Sequence, residues 1–114
     1  MRIICTGGRD YNDPHTVYYA LKDLPEDTEI VHGGAEGADE LVDQVAKGFG
    51  YTVHRVEADW RTYGKLAGPM RNRKMIEMFA PIDIVYAFPG GNGTEDMVLA
   101  AFQNNIPVKR FGIY

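Results

Sequence analysis

Two glycine-rich segments of the chain have the composition of anion-binding loops. PGGNGT spans residues 89–94 and follows the apolar run IDIVYAF, and HGGAEGAD spans residues 32–39. A helix is predicted to begin within each segment, and a helix N-terminus combines unpaired N–H groups with the positive end of the helix dipole. Neither segment carries the Gly-Lys-Ser/Thr of a P-loop or the G-x-G-x-x-G of a dinucleotide fingerprint. Together the two segments predict a phosphate site, whereas either one alone would fit an ordinary glycine-rich turn.

The glycines of residues 89–94 are expected to let a ligand approach bare backbone. Gly90, Gly91 and Gly93 can adopt positive φ angles, and no Cβ shields their N–H groups. Thr94 is predicted as the N-cap of the following helix, because a threonine hydroxyl accepts hydrogen bonds from the first helical turn.

A cation on the predicted helix before residues 82–88 is a second candidate. At about 100° per residue, Arg71 falls inside the apolar arc of this helix and Arg73 points nearly the opposite way. The arc comprises Ala67, Met70, Met75, Met78 and Phe79. A cation facing the sheet is costly unless it is paired, so we expect Arg71 to contact a phosphate or a ribose. Arg73 is predicted as a surface charge. The alternative for Arg71 is an internal salt bridge to Asp39, Asp59 or Glu95.

Other side chains have both a structural and a ligand-binding interpretation. The helix dipole favours acids such as Glu95 and Asp96 in a first turn, and the same residues could face the sugar of a nucleotide. Asp39 has the same two interpretations, and Trp60, in the predicted loop 59–69, could stack on a base, form a lid or contact a second subunit. The predicted ligand-binding residues are Gly7, Gly8, Arg9, Gly33, Gly34, Gly37, Asp39, Trp60, Arg71, Gly90, Gly91, Gly93 and Thr94. If the chain is an enzyme, the predicted catalytic residues are Arg71, Glu95 and Asp96.

Net charge and cysteine content argue against several classes of function. The formal net charge is −4 and the pI is about 5.3, whereas nucleic-acid binding depends on basic surfaces. Cys5 is the single cysteine, which excludes an internal disulfide and fits a buried thiol in a reducing cytoplasm. His32 has no second histidine or cysteine near it in sequence, so neither a metal nor another cofactor is predicted. No apolar run approaches the ~18 residues of a membrane span, and no secretory signal is recognised.

Strand-like and helix-like segments alternate along the chain. Strands are predicted at residues 2–7, 28–34, 51–58, 82–88 and 107–113, and helices at residues 13–24, 37–50, 70–80 and 94–105. Asp13 and Pro14 form a helix start, and Gly50 is a suitable helix stop. The alternation predicts one Rossmann-like α/β domain over residues 1–114, with three layers and a mostly parallel sheet of about five strands. Residues 82–88 form the most apolar strand and are expected to be central.

A parallel sheet would gather the unusual loops at one edge. The segments CTGGRDY, HGGAEGAD, EADWRTYGKLAG and PGGNGTED each follow a predicted strand, whereas plain connections such as LPEDT and GFGY fall at the opposite edge. Folds of this class bind ligands at the carboxyl ends of their strands.

These motifs together resemble a known superfamily over nearly the whole chain. GGRDY, HGGAEGAD, YGKLAGPMRNRKM and DIVYAFPGGNGT are similar to the small YspA/YpsA-like, DUF2493-type members of the SLOG superfamily. That superfamily is related to the DNA-processing protein DprA/Smf and to the "Lonely guy" (LOG) enzymes. The resemblance implies a Rossmann-like fold that binds nucleotides or nucleotide-derived molecules. The LOG enzymes are phosphoribohydrolases that cut the N-glycosidic bond of a nucleoside 5′-monophosphate.

The match to the LOG signatures is incomplete. An arginine four residues before a methionine is matched by Arg71 and Met75, and PGGxGTxxE is matched as far as Thr94. The position of the LOG glutamate is Met97, and a methionine can neither carry charge nor transfer a proton. The candidates for a relocated acid are Glu95, Asp96 and Glu36. The sequence therefore favours a binding module for a nucleotide or a nucleotide-derived signal, ahead of a LOG-like hydrolase and a DprA-like nucleic-acid protein. A homo-oligomer is compatible with the exposed methionine and aromatic side chains expected on the helices.

Overall fold

The chain folds into a parallel sheet between two layers of helices. The computed structural model describes residues 1–112. The strands are β1 (Arg2–Thr6), β2 (Glu29–His32), β3 (Thr52–Arg55), β4 (Ile84–Ala87) and β5 (Val108–Arg110). The helices are α1 (Pro14–Leu21), α2 (Ala38–Gly48), α3 (Trp60–Tyr63), α4 (Ala67–Phe79) and α5 (Asn92–Gln103), with a 3₁₀ turn at Gly64–Leu66 between α3 and α4.

The predicted α/β fold class is confirmed, and the strand order corrects one detail. The sheet has five strands in the order β3-β2-β1-β4-β5, and all the pairings are parallel. β1 is therefore the central strand, and the prediction that residues 82–88 are central is wrong. β4 lies between β1 and β5, so a strand pairs with each of its edges. Helices cover both of its faces. Apolar composition does not distinguish these two inner strands, because both are buried from both sides.

The two helical layers cover opposite faces of the sheet. Ile3 and Cys5 of β1 pack with residues of α1 and α2, and Ile4 packs with residues of α4 and α5. This alternation follows from the period of two along a strand. Each fully buried aliphatic side chain stabilises the fold by about 1.5–3 kcal/mol. The core on both faces of the sheet therefore holds the ends of the strands in fixed positions.

Two of the predictions around the loops hold or fail for local reasons. Asp13 caps α1 as predicted, because its carboxylate accepts from the Thr16 N–H at 3.2 Å, and Pro14 occupies the first helical position. The prediction of a loop over residues 59–69 is wrong, because α3, the 3₁₀ turn and the start of α4 occupy it. Pro69 is tolerated in the first turn of α4, where N–H groups have no intrahelical partner anyway.

The start of α5 also differs from the prediction. The helix begins at Asn92 with Gly91 as N-cap, so Thr94 is not the N-cap but a buried residue of the first turn. At the other end of the chain, residue 113 of the predicted last strand lies outside the described residues. No helix of the described part has the length and apolar content needed to cross a membrane.

Candidate functional site

A cleft of about 910 Å³ opens where the strand order reverses, between the loops that follow β1 and β4. This is the position at which open α/β sheets bind ligands. The predicted ligand-binding residues that line it are Gly7, Gly8, Arg9, Asp39, Trp60, Arg71, Gly90, Gly91, Gly93 and Thr94. An adjoining pocket of about 400 Å³ shares Arg9, Trp60 and Arg71 with the cleft and adds Gly33 and Gly34. Gly37 lines a further pocket beside Arg9.

Gly8 joins the two loops that border the cleft. Its N–H donates to Pro89 O at 2.9 Å, and its carbonyl accepts from the Ala38 N–H at 3.1 Å. A Cβ on Gly8 would lie 3.0 Å from the Cα of Gly90, and a Cβ on Gly7 would overlap Ala38. The two adjacent glycines after β1 are therefore required by close backbone packing, and this packing brings the N-termini of α2 and α5 to the same place.

The presence of glycine at the positions after β4 is not explained by the predicted positive φ angles. None of Gly90, Gly91 and Gly93 has a positive φ, so that part of the prediction is wrong. Gly90 packs against Gly8 and the Thr94 hydroxyl, where a Cβ would overlap. By contrast, no heavy atom lies within 4 Å of a Cβ placed on Gly91 or Gly93. Both residues line the cleft, and nothing in the described part of the chain requires glycine at either position.

The N-terminus of α5 presents free donors beside this open space. The first intrahelical bond runs from the Glu95 N–H to Gly91 O at 3.1 Å. The N–H groups of Asn92, Gly93 and Thr94 therefore precede the helical ladder and have no intrahelical acceptor. With the positive end of the helix dipole at the same place, this part of the cleft favours an anion.

Arg71 lies between the cleft and the adjoining pocket. Its Nη1 donates to Gly33 O at 2.8 Å and its Nε donates to Asn72 Oδ1 at 3.1 Å. A Cβ on Gly33 would overlap the guanidinium, so this glycine is needed for the close approach. Burial lowers the pKa of Arg71, and nearby Asp39 opposes that shift. Among the described residues Arg71 has no carboxylate partner within 4.0 Å, and its Nη2 has no hydrogen-bond acceptor.

Asp39 is a buried carboxylate on the wall of the cleft. Its side chain is 6% exposed, and its Oδ2 accepts from the Ala35 N–H at 3.1 Å. Burial raises the pKa of Asp39, and the backbone N–H groups of Ala35 and Gly33 together with His32 and Arg71 oppose that shift only in part. The negative charge of Asp39 is thus incompletely compensated by the protein.

His32 holds the second glycine-rich loop in place. Its Nδ1 accepts from the Gly34 N–H at 2.9 Å, so its Nε2 carries the hydrogen that is donated to Asp43 Oδ1 at 2.8 Å. The imidazole is buried and both nitrogens are used within the protein. Among the described residues, no group of three or more His, Cys, Asp or Glu side chains is arranged to hold a metal ion.

The two acids of α5 have different surroundings. Glu95 accepts two hydrogen bonds from the Arg110 guanidinium, each at 2.9 Å, and these bonds lower its pKa. Glu95 is exposed and does not line the cleft. Asp96 does line the cleft, where it accepts from Asn72 Nδ2 at 3.0 Å and from Arg73 Nη1 at 2.8 Å. Burial opposes ionisation of Asp96, but the two donors outweigh it and its pKa is lowered. Arg73 is exposed, as predicted for a surface charge, and it also forms an ion pair with Asp96.

Asn72 belongs to this network and the sequence prediction missed it. Its side chain is 3% exposed, accepts from Arg71 and donates to Asp96 and to Gly93 O, the last at 3.3 Å. The available signal was its spacing of three and four residues before Met75 and Ile76, which share the buried face of α4. The predicted apolar arc was wrong in part, because Met70 and Met78 are exposed.

An arginine and a tryptophan form the outer wall of the cleft. The Arg9 Cζ lies 5.5 Å from the centre of the Trp60 ring, within the range of a cation–π contact. Trp60 is 48% exposed, and a Cβ on Gly68 would lie 3.1 Å from its Cη2. One face of the site is therefore a flat aromatic and guanidinium surface that remains accessible.

Comparison with known proteins identifies the family. The model of the YspA, cpYpsA-related SLOG family matches residues 1–63. The Gene 61 protein of Mycobacterium phage D29 is 39% identical over 122 residues, which cover 97% of this chain and 96% of that protein. The chain belongs to the YspA, cpYpsA-related SLOG family, which confirms the superfamily resemblance of its motifs.

Solved structures support the fold. A UDP-N-acetylglucosamine 2-epimerase matches with a TM-score of 0.54 and 21% identity, and a UDP-GlcNAc 2-epimerase from Neisseria meningitidis, bound to UDP-GlcNAc, matches with 0.51 and 18%. Each match covers 96% of this chain but only 32% of the epimerase, so this chain spans about a third of the length of these enzymes. At this level of identity the likeness concerns the α/β architecture alone.

Proposed function

We propose that this SLOG-family chain is a binding module for a nucleotide or a nucleotide-derived small molecule. The phosphate of the ligand lies at the N-terminus of α5. The observation that carries this proposal is the open space at Gly91 and Gly93 beside three N–H groups without intrahelical acceptors. A side chain would fit at both positions, so a ligand that approaches the backbone explains why glycine is present.

Arg71 supplies the second contact in this proposal. Two of its nitrogens are fixed by Gly33 O and Asn72, which leaves Nη2 oriented by the same planar group and available to a ligand. Charge-assisted hydrogen bonds from a guanidinium to phosphate are among the strong ones in proteins. The flat surface of Trp60 and Arg9 at the outer wall is suited to stacking with a base.

The surroundings of the acids favour binding over hydrolysis. Met97 is fully buried in the core beneath α5, and Glu95 is paired with Arg110 away from the cleft. Asp96 is held in its ionised form by Asn72 and Arg73, so it is a poor proton donor. A LOG-like phosphoribohydrolase remains the second candidate, because Asp96 lines the cleft and a carboxylate there could still stabilise a cationic sugar.

The two functions are separated by one experiment. Purified protein is incubated with nucleoside mono- and diphosphates and with nucleotide sugars, and is then ultrafiltered, and both fractions are analysed by chromatography. We expect intact nucleotide to be retained with the protein. Free base in the filtrate would instead support the hydrolase, and the Asp96→Asn variant would show whether Asp96 takes part. If every compound passes through unchanged and unretained, the proposed function is wrong.

A further inference from the structure

We infer that Asp39 recognises the ribose of the ligand, so that the cleft takes nucleotides whose 2′- and 3′-hydroxyls are both free. This inference rests on the proposed function and specifies its ligand class: an unmodified ribonucleotide rather than a nucleotide that lacks these hydroxyls or has them esterified in a ring.

Two helix N-termini of different character lie on either side of Gly8. Gly8 bonds to Pro89 on one side and to Ala38 on the other, so the loop that leads into α5 and the first residue of α2 both contact Gly8. The start of α5 carries N–H groups without intrahelical acceptors, and Asp96, the fifth residue of this helix, lines the cleft paired with Arg73. The start of α2 carries the carboxylate of Asp39. An anion is favoured at the first position and repelled at the second, whereas a hydrogen-bond donor is favoured at the second.

Asp39 has unused acceptor capacity. An ionised carboxylate offers about four lone-pair sites. Among the described residues Asp39 accepts from the Ala35 N–H and lies near that of Gly33, and the neighbouring Arg71 donates instead to Gly33 O and Asn72. Asp39 is 6% exposed and lines the cleft, so a ligand in the cleft can bring further donors to its carboxylate. A donor supplied by a ligand would add to the backbone N–H groups of Ala35 and Gly33 that already stabilise this buried carboxylate.

The order of the groups along a nucleotide decides which of its donors reaches Asp39. With the phosphate at α5, the group that is covalently next to it is the sugar, and the base is further along the ligand. The hydroxyls of the sugar are therefore the donors nearest to the start of α2. This assignment follows a general feature of dinucleotide-binding sheets, in which an acid near the second strand accepts from a ribose hydroxyl.

The test compares pairs of ligands that differ only at the sugar. Adenosine and guanosine 5′-monophosphates are titrated into the wild-type protein by calorimetry, each beside its 2′,3′-dideoxy analogue. We expect the ribonucleotides to bind about 10–100-fold more tightly, as hydrogen bonds to a charged group do. In Asp39→Ala the ribonucleotides should fall to the affinity of the dideoxy compounds, which should themselves be unchanged. Glu40→Gln, the exposed neighbour on α2, is the matched control and should keep the preference.

Each other outcome overturns the inference in a recognisable way. Equal affinity of the wild type for both members of a pair leaves the proposed function standing and removes the role of Asp39. The role of Asp39 is also removed if the preference for the ribonucleotide persists in Asp39→Ala. It is likewise removed if this variant changes the choice between adenine and guanine and leaves the sugar preference unchanged. If neither nucleotide binds the wild type, the proposed function and the inference fall together. Should Asp39→Ala fail to give a cooperative thermal transition, Asp39→Asn keeps the side-chain volume and is judged by the same ratio.

Discussion

Replacing Gly93 with alanine should separate folding from binding. Gly93 is the second residue of α5, its φ is not positive, and a Cβ there meets no heavy atom within 4 Å. Glycine destabilises a helix by up to ~1 kcal/mol relative to alanine. Near a helix end, replacing glycine with alanine should stabilise the protein by about half of that. With an unfolding entropy of ~2.1 cal/mol/K per residue, ~0.5 kcal/mol raises the Tm of a chain of 114 residues by ~2 °C.

The same substitution should weaken nucleotide binding. The new methyl group would occupy the open space beside the N–H groups of Asn92, Gly93 and Thr94, where the phosphate is proposed to lie. Displacing the phosphate from these donors should cost at least tenfold in Kd, which is about 1.4 kcal/mol. Gly93→Ala should therefore be slightly more stable than the wild type and bind nucleotide more weakly.

A matched control tests whether the effect belongs to the cleft. Gly48 is also helical, is exposed, has no positive φ and has no heavy atom within 4 Å of a Cβ, but it lies at the far end of α2. Gly48→Ala should give a similar gain in Tm and no change in Kd. Thermal unfolding followed by circular dichroism and calorimetric titration of the retained nucleotide give the two numbers. An unchanged Kd in Gly93→Ala would refute the placement of the phosphate at α5.

Three further predictions concern charged and ionisable groups. Arg71→Ala should weaken nucleotide binding by about 1.5–3 kcal/mol. Arg73→Ala loses an exposed ion pair outside the proposed contacts and should change binding by less than about 0.5 kcal/mol. Affinities that calorimetry finds equally weakened in both variants would contradict this assignment. Burial raises the pKa of Asp39, so its contribution to stability is present below the unfolded pKa of ~3.9 and is lost as the pH rises through the folded pKa. Urea unfolding between pH 4 and 8 should show Asp39→Asn gaining stability relative to the wild type as the pH rises, and a constant difference would show that the pKa is not raised. Burial also raises the pKa of the Cys5 thiol far above its ordinary value, so a thiol reagent at pH 8 should label Cys5 only at the rate of unfolding; labelling of the native protein within seconds would contradict its burial.

The fold could be predicted because its signals are local and repeated. Each strand is a short apolar run, and Asp13 with Pro14 marks a helix start whatever the rest of the chain does. Loops that follow parallel strands share one edge of the sheet. This rule placed residues as distant as Gly8 and Gly90 at one cleft without any knowledge of contacts. The choice of the central strand failed because it depends on strand order, which the apolarity of one segment does not contain.

The finer geometry of the site depends on contacts between distant residues. The role of Gly90 is set by its packing against Gly8, not by its own φ, and no local pattern contains that fact. In the sequence Asn72 stands between two arginines, a pattern that is typical of a polar helix face. Only the tertiary fold shows that it is buried between Arg71 and Asp96 and joins α4 to α5.

The position that LOG enzymes give to glutamate has become part of the core in this chain. Met97 is fully buried and belongs to the cluster that joins α5 to α4 and the sheet, together with Met75, Ile76 and Val85. A carboxylate in that apolar cluster would cost several kcal/mol unless it found a partner. An unpaired charge at position 97 is therefore incompatible with the present packing. The phosphate donors proposed at α5 do not depend on that position, because they are backbone N–H groups of the preceding turn. The proposed phosphate site is therefore compatible with a side chain at position 97 that packs the helix against the sheet.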